Sequence, residues 1–212
     1  MPFASIGRRR WFVVALATCG AALAAPRVSA EAAAVAPVRT LCDELINVMK
    51  AGQGTSFQQR FTMLGPVVDR VFDLQAILQV SVGPGWVSMP AEQQATLEAA
   101  FRRYTLANYV SNFNNYTGQR FEFQPDTRSL PNGEQLVQTK IISASGESHE
   151  LDYVMREVGG VWKIEDVLAD GSISRVAVQR SDFRRLVERG GAQALIESLN
   201  QKTTDLSGGT LT

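Results

Sequence analysis

The chain has 212 residues, with 21 basic and 21 acidic side chains and one histidine, which is enough for one domain, or two at most, with a substantial core. A hydrophobic fraction of 45% and a charged fraction of 20% are typical of a globular protein and exclude a disordered chain. A net charge of zero excludes a strongly basic nucleic-acid-binding protein. Two cysteines and one histidine exclude a Cys/His zinc cluster and a disulfide scaffold.

Residues 1–30 predict an export signal. Three arginines at positions 8–10 precede an uncharged, apolar run over 11–25, and small residues follow at Val28 and Ala30. This arrangement is typical of a secretory signal peptide cleaved after Ala30, and the run is shorter than the roughly 20 residues of a transmembrane helix. The removed segment carries four arginines and no acidic residue, so the remainder has 17 basic and 21 acidic side chains. We expect a periplasmic protein without an intramolecular disulfide, because only Cys42 remains.

Two other interpretations of the N-terminus stay open. Residues 9–13, Arg-Arg-Trp-Phe-Val, resemble a twin-arginine signal, which would export a folded protein. We prefer an ordinary secretory signal whose basic region happens to contain three arginines. Residues 16–19 loosely resemble a lipoprotein box that would leave a lipid on Cys19, but the threonine at position 18 fits that motif poorly.

Residues 38–116 predict helices. Apolar residues three and four apart give the first helix a buried face of Val38, Leu41, Cys42, Leu45, Ile46 and Met49. We expect a short helix over 57–64, a third that begins at Pro66, and a further turn or two over 73–78. After a Gly-Pro-Gly break at 83–85, Pro90 leads the longest helix, over 91–116. Two apolar stripes give this helix a face wider than packing on one neighbour requires.

The hydrophobic period changes from about 3.6 to 2 after Gly118, which predicts strands. Extended segments are expected over 121–123, 135–143, 151–156, 161–168 and 173–178, with hairpin turns between them. A helix over 182–189, a stop at Gly190 and Gly191, a last helix near 195–199 and a loose tail over 203–212 complete the chain. We predict one α+β domain over 31–202, with helices packed on one face of a curved antiparallel sheet.

A search for catalytic groups favours a protein that is not an enzyme. His149 lies in a polar, turn-like stretch, and no nucleophile motif accompanies it. Asp152 beside Tyr153 resembles the acid and tyrosine that serve catalysis in some helix-and-sheet cones. Adjacent strand residues point to opposite faces, so these two side chains would not line one pocket. The sequence indicates no metal and no cofactor.

The long helix and the sheet carry many apolar residues for which no catalytic role is expected. Ordinary core packing is one interpretation, and the other is that helix and sheet are held apart over an apolar cavity. On the second interpretation we predict a lipid-binding lining of Phe72, Ile77, Val80, Phe101, Tyr104, Phe113, Phe121, Phe123, Tyr153 and Met155. Arg102, Arg103 and Arg175 are candidates to meet a phosphate group or an acidic partner surface, or are ordinary solvated charges.

Three segments of the chain carry a resemblance to a known family. Residues 162–174, Trp-Lys-Ile-Glu-Asp-Val-Leu-Ala-Asp-Gly-Ser-Ile-Ser, precede a helix containing Phe183 and the run Gly-Gly-Ala-Gln-Ala-Leu-Ile over 190–196. Together they resemble the C-terminal part of the MlaC/toluene-tolerance family, and residues 89–101 resemble its proline-led long helix. Residues 82–86 and 151–156 are more similar to the branch associated with hopanoid biosynthesis than to the phospholipid-trafficking branch.

The resemblance implies a periplasmic shuttle that carries a phospholipid or a hopanoid between membranes, or to or from an inner-membrane lipid transporter. That transporter would be of the ABC type in the phospholipid branch and of the RND type in the hopanoid branch. It implies no catalytic residue and no nucleic-acid partner, and we expect a monomer. The competing hypotheses are an enzyme on a similar cone-like fold and a periplasmic interaction module that binds no lipid.

Overall fold

A computed structural model describes residues 30–211, so the predicted signal peptide lies outside the described residues apart from Ala30. Four helices come first: α1 (Ala30–Ala51), α2 (Phe57–Val71), α3 (Leu74–Val82) and α4 (Ala91–Asn112). The strands are β1 (Arg120–Phe123), β2 (Arg128–Ser129), β3 (Gln135–Val137), β4 (Thr139–Ile142), β5 (Ser148–Val158), β6 (Val161–Ala169) and β7 (Ile173–Ser174). Helix α5 (Arg175–Leu206) ends the sequence of elements. This order confirms the predicted α+β fold.

Strand β5 is the centre of the sheet. One of its edges pairs with β3 and β4, which form a single line of strand interrupted at Gln138, and its other edge pairs with β6. Strands β1 and β2 extend the sheet beyond β4 and β3, β7 extends it beyond β6, and all of these pairs are antiparallel. The register between β5 and β6 shifts between Val154 and Met155. Such a bulge bends the strand that carries it, which curves the sheet around the helices.

The helices cover one face of this sheet, and the core lies between the two layers. Tyr153 pairs across the strands with Val137 and Val167, and Met155 pairs with Ile164, so these side chains share a face. All of them except Val167 are buried. Helix α1 packs against β3, β5 and β6. Its predicted stripe is confirmed, because every member except the half-buried Ile46 is buried.

The structure shows no separate helix beginning at Pro66, so that prediction was wrong. Helix α2 starts at a capping box in which Ser56 accepts the backbone N–H of Gln59 and Gln59 accepts that of Ser56, and it continues through Pro66 to Val71. A proline disfavours helical geometry in the residue before it, largely by a clash with that residue's Cβ. That residue is Gly65, which has no Cβ, so the helix passes through the proline.

Two further boundaries differ from the prediction. Helix α4 ends at Asn112 rather than at 116, because Phe113 leaves helical geometry at φ −106° and ψ 62°. Helix α5 begins at Arg175, within the segment expected to be extended, because the Ser174 side chain accepts the backbone N–H of Ala177 as an N-cap. The predicted stop at Gly190 and Gly191 is a kink inside α5, with φ and ψ of −150° and 20° at the first and 67° and −165° at the second.

The segment expected to be a loose tail is packed against the fold. Helix α5 continues to Leu206, and Thr203, Ser207 and Leu211 are buried. The backbone N–H of Leu211 donates to the Ser207 hydroxyl at 3.0 Å, and the Thr204 hydroxyl donates to the carbonyl of Leu211 at 3.1 Å. Hydrogen bonds and a buried leucine therefore hold these last residues in place, which the polar sequence did not indicate.

The Gly-Pro-Gly turn after α3 lies against α5. Gly83 has φ 76° and ψ −148°, a conformation that only glycine adopts without strain. A Cβ built on Gly83 would lie 2.6 Å from Nη2 of Arg184. The turn therefore requires glycine for its backbone angles, and a Cβ there would also displace the end of the flexible Arg184 side chain.

Candidate functional site

A cavity of about 270 Å³ lies between α3, α4, α5 and the covered face of the sheet. The helices supply most of its lining: Phe72, Leu74, Ile77, Phe101, Tyr104, Thr105, Asn108, Tyr109, Asn112, Phe113, Arg175, Val176 and Gln179. Leu151, Tyr153, Asp166, Val167 and Ala169 line it from the sheet. Asn112 and Arg175 are exposed, so the cavity opens to solvent between the end of α4 and the start of α5.

A row of aromatic rings runs from the interior of the cavity to the edge of the sheet. The ring centroids of Phe72 and Tyr109 are 5.7 Å apart, those of Tyr109 and Phe113 are 6.0 Å apart, and those of Phe113 and Phe121 are 6.4 Å apart. Each separation lies within the range in which aromatic pairs attract one another. Phe72 is held at the inner end because the backbone N–H of Asp73 donates to the carbonyl of Ile164 at 3.0 Å. The row forms a continuous apolar wall.

Two tyrosine hydroxyls of the cavity lining, and a buried thiol that is hydrogen-bonded to one of them, are neutral. Burial raises the pKa of the Cys42 thiol to about 12, and this effect outweighs the hydrogen bond with Tyr153, which lowers it. Burial also raises the pKa of Tyr109 and of Tyr153. At neutral pH all three groups therefore keep their protons and add no charge to the cavity, whose charged lining residues are Asp166 and Arg175.

Four polar side chains face one another at the mouth, and we call them the polar collar: Asn108, Asn112, Arg175 and Gln179. Asn108 and Asn112 are one turn apart on α4, and Arg175 and Gln179 are one turn apart on α5. The outer pair, Asn112 and Arg175, is exposed and the inner pair is half-buried. The Asn112 amide donates to the carbonyl of Asn108 at 2.8 Å. The site is thus polar at its entrance and apolar within.

Asp166 positions the first turn of α5, and with it one side of the collar. Its Oδ1 accepts the backbone N–H of Val167 at 2.7 Å and of Val176 at 3.1 Å. Its Oδ2 accepts the hydroxyl of Ser174, the N-cap of α5. A carboxylate at a helix N-terminus is also favoured by the helix dipole. The acidic residue in the segment 162–174 therefore fixes where the cavity wall begins.

Six of the ten residues predicted from the sequence line the cavity, and four do not. Those that line it are Phe72, Ile77, Phe101, Tyr104, Phe113 and Tyr153. Val80 is 53% exposed because the core-facing side of α3 is formed by Ile77, Leu78, Ser81 and Val82. The structure places the six residues in the lining of the cavity, and their contact with a lipid stays a prediction.

The other three residues outside the cavity lie on the same face of the sheet as Tyr153. Met155 is fully buried in the core. Phe123 packs under the guanidinium of Arg39, 4.3 Å from its ring centroid, and Phe121 touches the cavity only through the ring of Phe113. Helix α1, which carries Arg39, covers this end of the sheet, and the sequence pattern did not indicate which helix lies over which residues.

Of the charged and amide-bearing lining residues, the sequence predicted only Arg175, as a candidate to meet a phosphate group or an acidic partner surface. Asn108 belongs to the same stripe as Phe101 and Tyr104, so its helical spacing is a signal that could have identified it. Arg175, Val176 and Gln179 were not placed together because their segment was expected to be extended. A helix beginning at Arg175 is what brings these three side chains to the cavity.

The structure does not bring the candidate catalytic groups together. Asp152 is buried and accepts the backbone N–H of Thr139 at 3.1 Å, where it stabilises the break between β3 and β4. It lies on the sheet face opposite to Tyr153 and does not line the cavity. His149 is exposed beside Glu147. Within residues 30–211 no group of three or more His, Cys, Asp or Glu side chains is arranged to hold a metal ion.

The sequence of residues 39–201 matches the family described as MlaC protein. The chain belongs to the MlaC family. This match confirms the resemblance at the level of the family and does not distinguish its branches. In the part of the chain that the structure describes, none of the helices has the length and apolar character needed to cross a membrane.

The fold is similar to that of a phospholipid-binding protein from Ralstonia solanacearum, solved in complex with a phospholipid. The TM-score is 0.71 at 22% sequence identity, and the match covers 82% of this chain and 98% of that one. A search of curated proteins finds no match. The comparison therefore establishes the fold, and the ligand has to be argued from the cavity.

Proposed function

We propose that this protein is a periplasmic lipid carrier that holds a phospholipid or a hopanoid in the cavity. The observation that supports this most directly is the cavity itself, with its apolar interior, its aromatic wall and its polar mouth. Membership of the MlaC family and the phospholipid in the related Ralstonia protein support the same ligand class. The carrier is exported by the signal in residues 1–30 and works as a monomer with an inner-membrane transporter of the ABC or RND type.

The physical requirement is to hide hydrocarbon from water. Each methylene transferred out of water contributes about 0.8 kcal/mol, so a sixteen-carbon chain contributes roughly 13 kcal/mol and two such chains roughly 25 kcal/mol. A polar groove would not supply a free energy of this size, because it leaves the hydrocarbon in contact with water. An apolar cavity lined by phenylalanine, tyrosine and aliphatic side chains makes the transfer from a membrane nearly neutral, which a shuttle needs in order both to load and to release.

The size of the cavity indicates that the wall moves on loading. A volume of about 270 Å³ is at the lower limit of ligand pockets, which span roughly 300 to 1,000 Å³, so a two-chain lipid requires the helices to separate. Two buried oxygens of the cavity lining, Oγ1 of Thr105 on α4 and Oε1 of Gln179 on α5, have no hydrogen-bond partner in the described residues. Unpaired buried polar atoms destabilise a contact, and we propose that α4 and α5 part along this line.

The proposal is tested by filling the cavity. Val167 lines it from β6, whereas Val161 on the same strand is 53% exposed and outside it. We expect V167W to abolish uptake of lipid from vesicles and V161W to leave uptake unchanged. Purified wild-type protein should release phospholipid or hopanoid on organic extraction, identified by mass spectrometry, and V167W should release little.

Two outcomes would favour the alternatives. Wild-type protein that carries no lipid after purification and takes none from vesicles would indicate an interaction module without a lipid ligand. A turnover activity that is abolished by D152A or H149A would indicate an enzyme. The carrier proposal assigns neither of those residues a role in binding, so both variants should load lipid as the wild type does if they remain folded.

A further inference from the structure

The mouth of the cavity carries one positive charge among neutral hydrogen-bonding groups. Arg175 is exposed, and its side chain has no ion pair and no hydrogen bond within residues 30–211. Other arginines nearby are paired, Arg102 with Asp69 at 2.6 Å and Arg185 with Asp182 at 2.5 Å. The remaining members of the polar collar are amides, which carry no charge.

Asp166, the acidic residue of the cavity lining, does not pair with Arg175. Both carboxylate oxygens of Asp166 are occupied, Oδ1 by two backbone N–H groups and Oδ2 by the hydroxyl of Ser174. These bonds hold the carboxylate to the start of α5. The guanidinium of Arg175 is therefore left available at the entrance.

The charge of Arg175 also acts inside the cavity. It lowers the pKa of the Tyr109 hydroxyl, against the larger opposite effect of burial. Tyr109 belongs to the aromatic wall and lies one residue from Asn108 of the polar collar. A ligand whose apolar part rests on that wall would therefore place its outermost polar atoms in the field of this guanidinium.

We propose that Arg175 binds a phosphate group of the lipid at the mouth, with the amides of Asn112 and Gln179 facing the neighbouring ester or hydroxyl oxygens. A guanidinium pairs with a phosphate through two parallel N–H···O bonds. This inference rests on the proposed function and narrows it, because a neutral polycyclic lipid would leave the charge unmatched. The ligand class is a phosphate-bearing lipid.

The test compares two lipids that differ only in the phosphate, dioleoylphosphatidic acid and dioleoylglycerol. Each is supplied in vesicles of digalactosyldiacylglycerol, a neutral host lipid that carries no phosphate, and uptake by the protein purified from the periplasm is measured by mass spectrometry. We expect the wild type to prefer the phosphate lipid by about tenfold, as for a charge-assisted hydrogen bond reduced by solvent exposure. R175Q should bring the preference to about twofold or less, and R175K should retain part of it.

The matched control is R180Q, because Arg180 is an exposed arginine on the same helix that does not line the cavity. R180Q should keep the wild-type preference, and raising the salt concentration should weaken the preference of the wild type but not of R175Q. Both variants change exposed side chains and should melt as the wild type does.

Four results would overturn the assignment. An unchanged preference in R175Q, or equal uptake of both lipids by the wild type, would refute the role of Arg175 and leave the lipid carrier intact. Saturable binding of inorganic phosphate alone, lost in R175Q and as tight as that of the lipid, would show a phosphate site rather than a lipid headgroup site. Uptake of neither lipid by the wild type would refute this inference, and if the wild type also took up no hopanoid from vesicles, the proposed function would be refuted with it.

Discussion

Replacing Asp166 with alanine should loosen the start of α5 and lower both stability and lipid uptake. The carboxylate accepts two backbone N–H groups and one hydroxyl, and the site is half-buried. Loss of a helix cap typically costs about 1 kcal/mol, and each further hydrogen bond about 1 kcal/mol, less where water can replace it. We therefore expect D166A to lower the free energy of unfolding by about 2 to 3 kcal/mol.

The assay is equilibrium urea denaturation followed by tryptophan fluorescence, with vesicle uptake measured in parallel. D182A is the matched control, because Asp182 lies near the start of α5 but pairs with Arg185 on the surface, and such pairs contribute at most about 1 kcal/mol. D166N keeps an acceptor for the backbone N–H groups and should recover about half of the lost stability. If D166A were no less stable than D182A, the assignment of Asp166 as the anchor of α5 would be wrong.

Three further predictions follow from buried groups and backbone angles. Burial raises the pKa of Cys42 to about 12, so as the pH rises the thiol loses its proton in the unfolded chain before it does in the folded one. The free energy of unfolding should therefore fall above about pH 9, by up to roughly 1.4 kcal/mol per pH unit. Thermal melting of C42A should show a shallower decline at alkaline pH. Gly83 and Gly191 have similar strained angles, and the atoms nearest to a Cβ at Gly83 belong to the movable end of the Arg184 side chain, so G83A and G191A should each cost about 2 kcal/mol of backbone strain in urea denaturation. A loss below about 0.5 kcal/mol in both variants would contradict the strain argument. L211A should lower the free energy of unfolding by about 2 kcal/mol and the exposed-site control T210A by less than about 0.5 kcal/mol; equal effects would mean that the C-terminal segment is not packed.

The sequence predicted the fold class because local periodicity specifies helices and strands, and it predicted the family through the resemblance of three segments. The stripe of α1 and the alternation of β5 and β6 repeat over enough residues to specify a helix and strands, and their faces follow from that repeat. The failures occurred where a single side chain overrides the pattern. Gly65 lets α2 run through Pro66, and the cap at Ser174, held by Asp166, starts α5 seven residues before its predicted position.

The candidate site was predicted in part, for a related reason. Phe101, Tyr104 and Tyr153 reach the cavity because they lie on the apolar faces that periodicity identifies. Met155 and Phe123 lie on the same face of the sheet, but α1 covers them, and the lateral placement of a helix over a sheet is a tertiary property. Pattern alone therefore identifies the face on which a cavity forms and not the position of the cavity along that face.

The kink at Gly190 and Gly191 divides α5 into two parts with different structural roles. The first part supplies Arg175, Val176 and Gln179 to the cavity, and the second anchors Leu195 and Leu199 in the core. Phe183 is buried against Phe101, so the first part also contributes to the core. The two glycines let the chain change direction between the parts without the steric cost that a Cβ would add, so the part that lines the cavity and the part that anchors the C-terminus follow different axes.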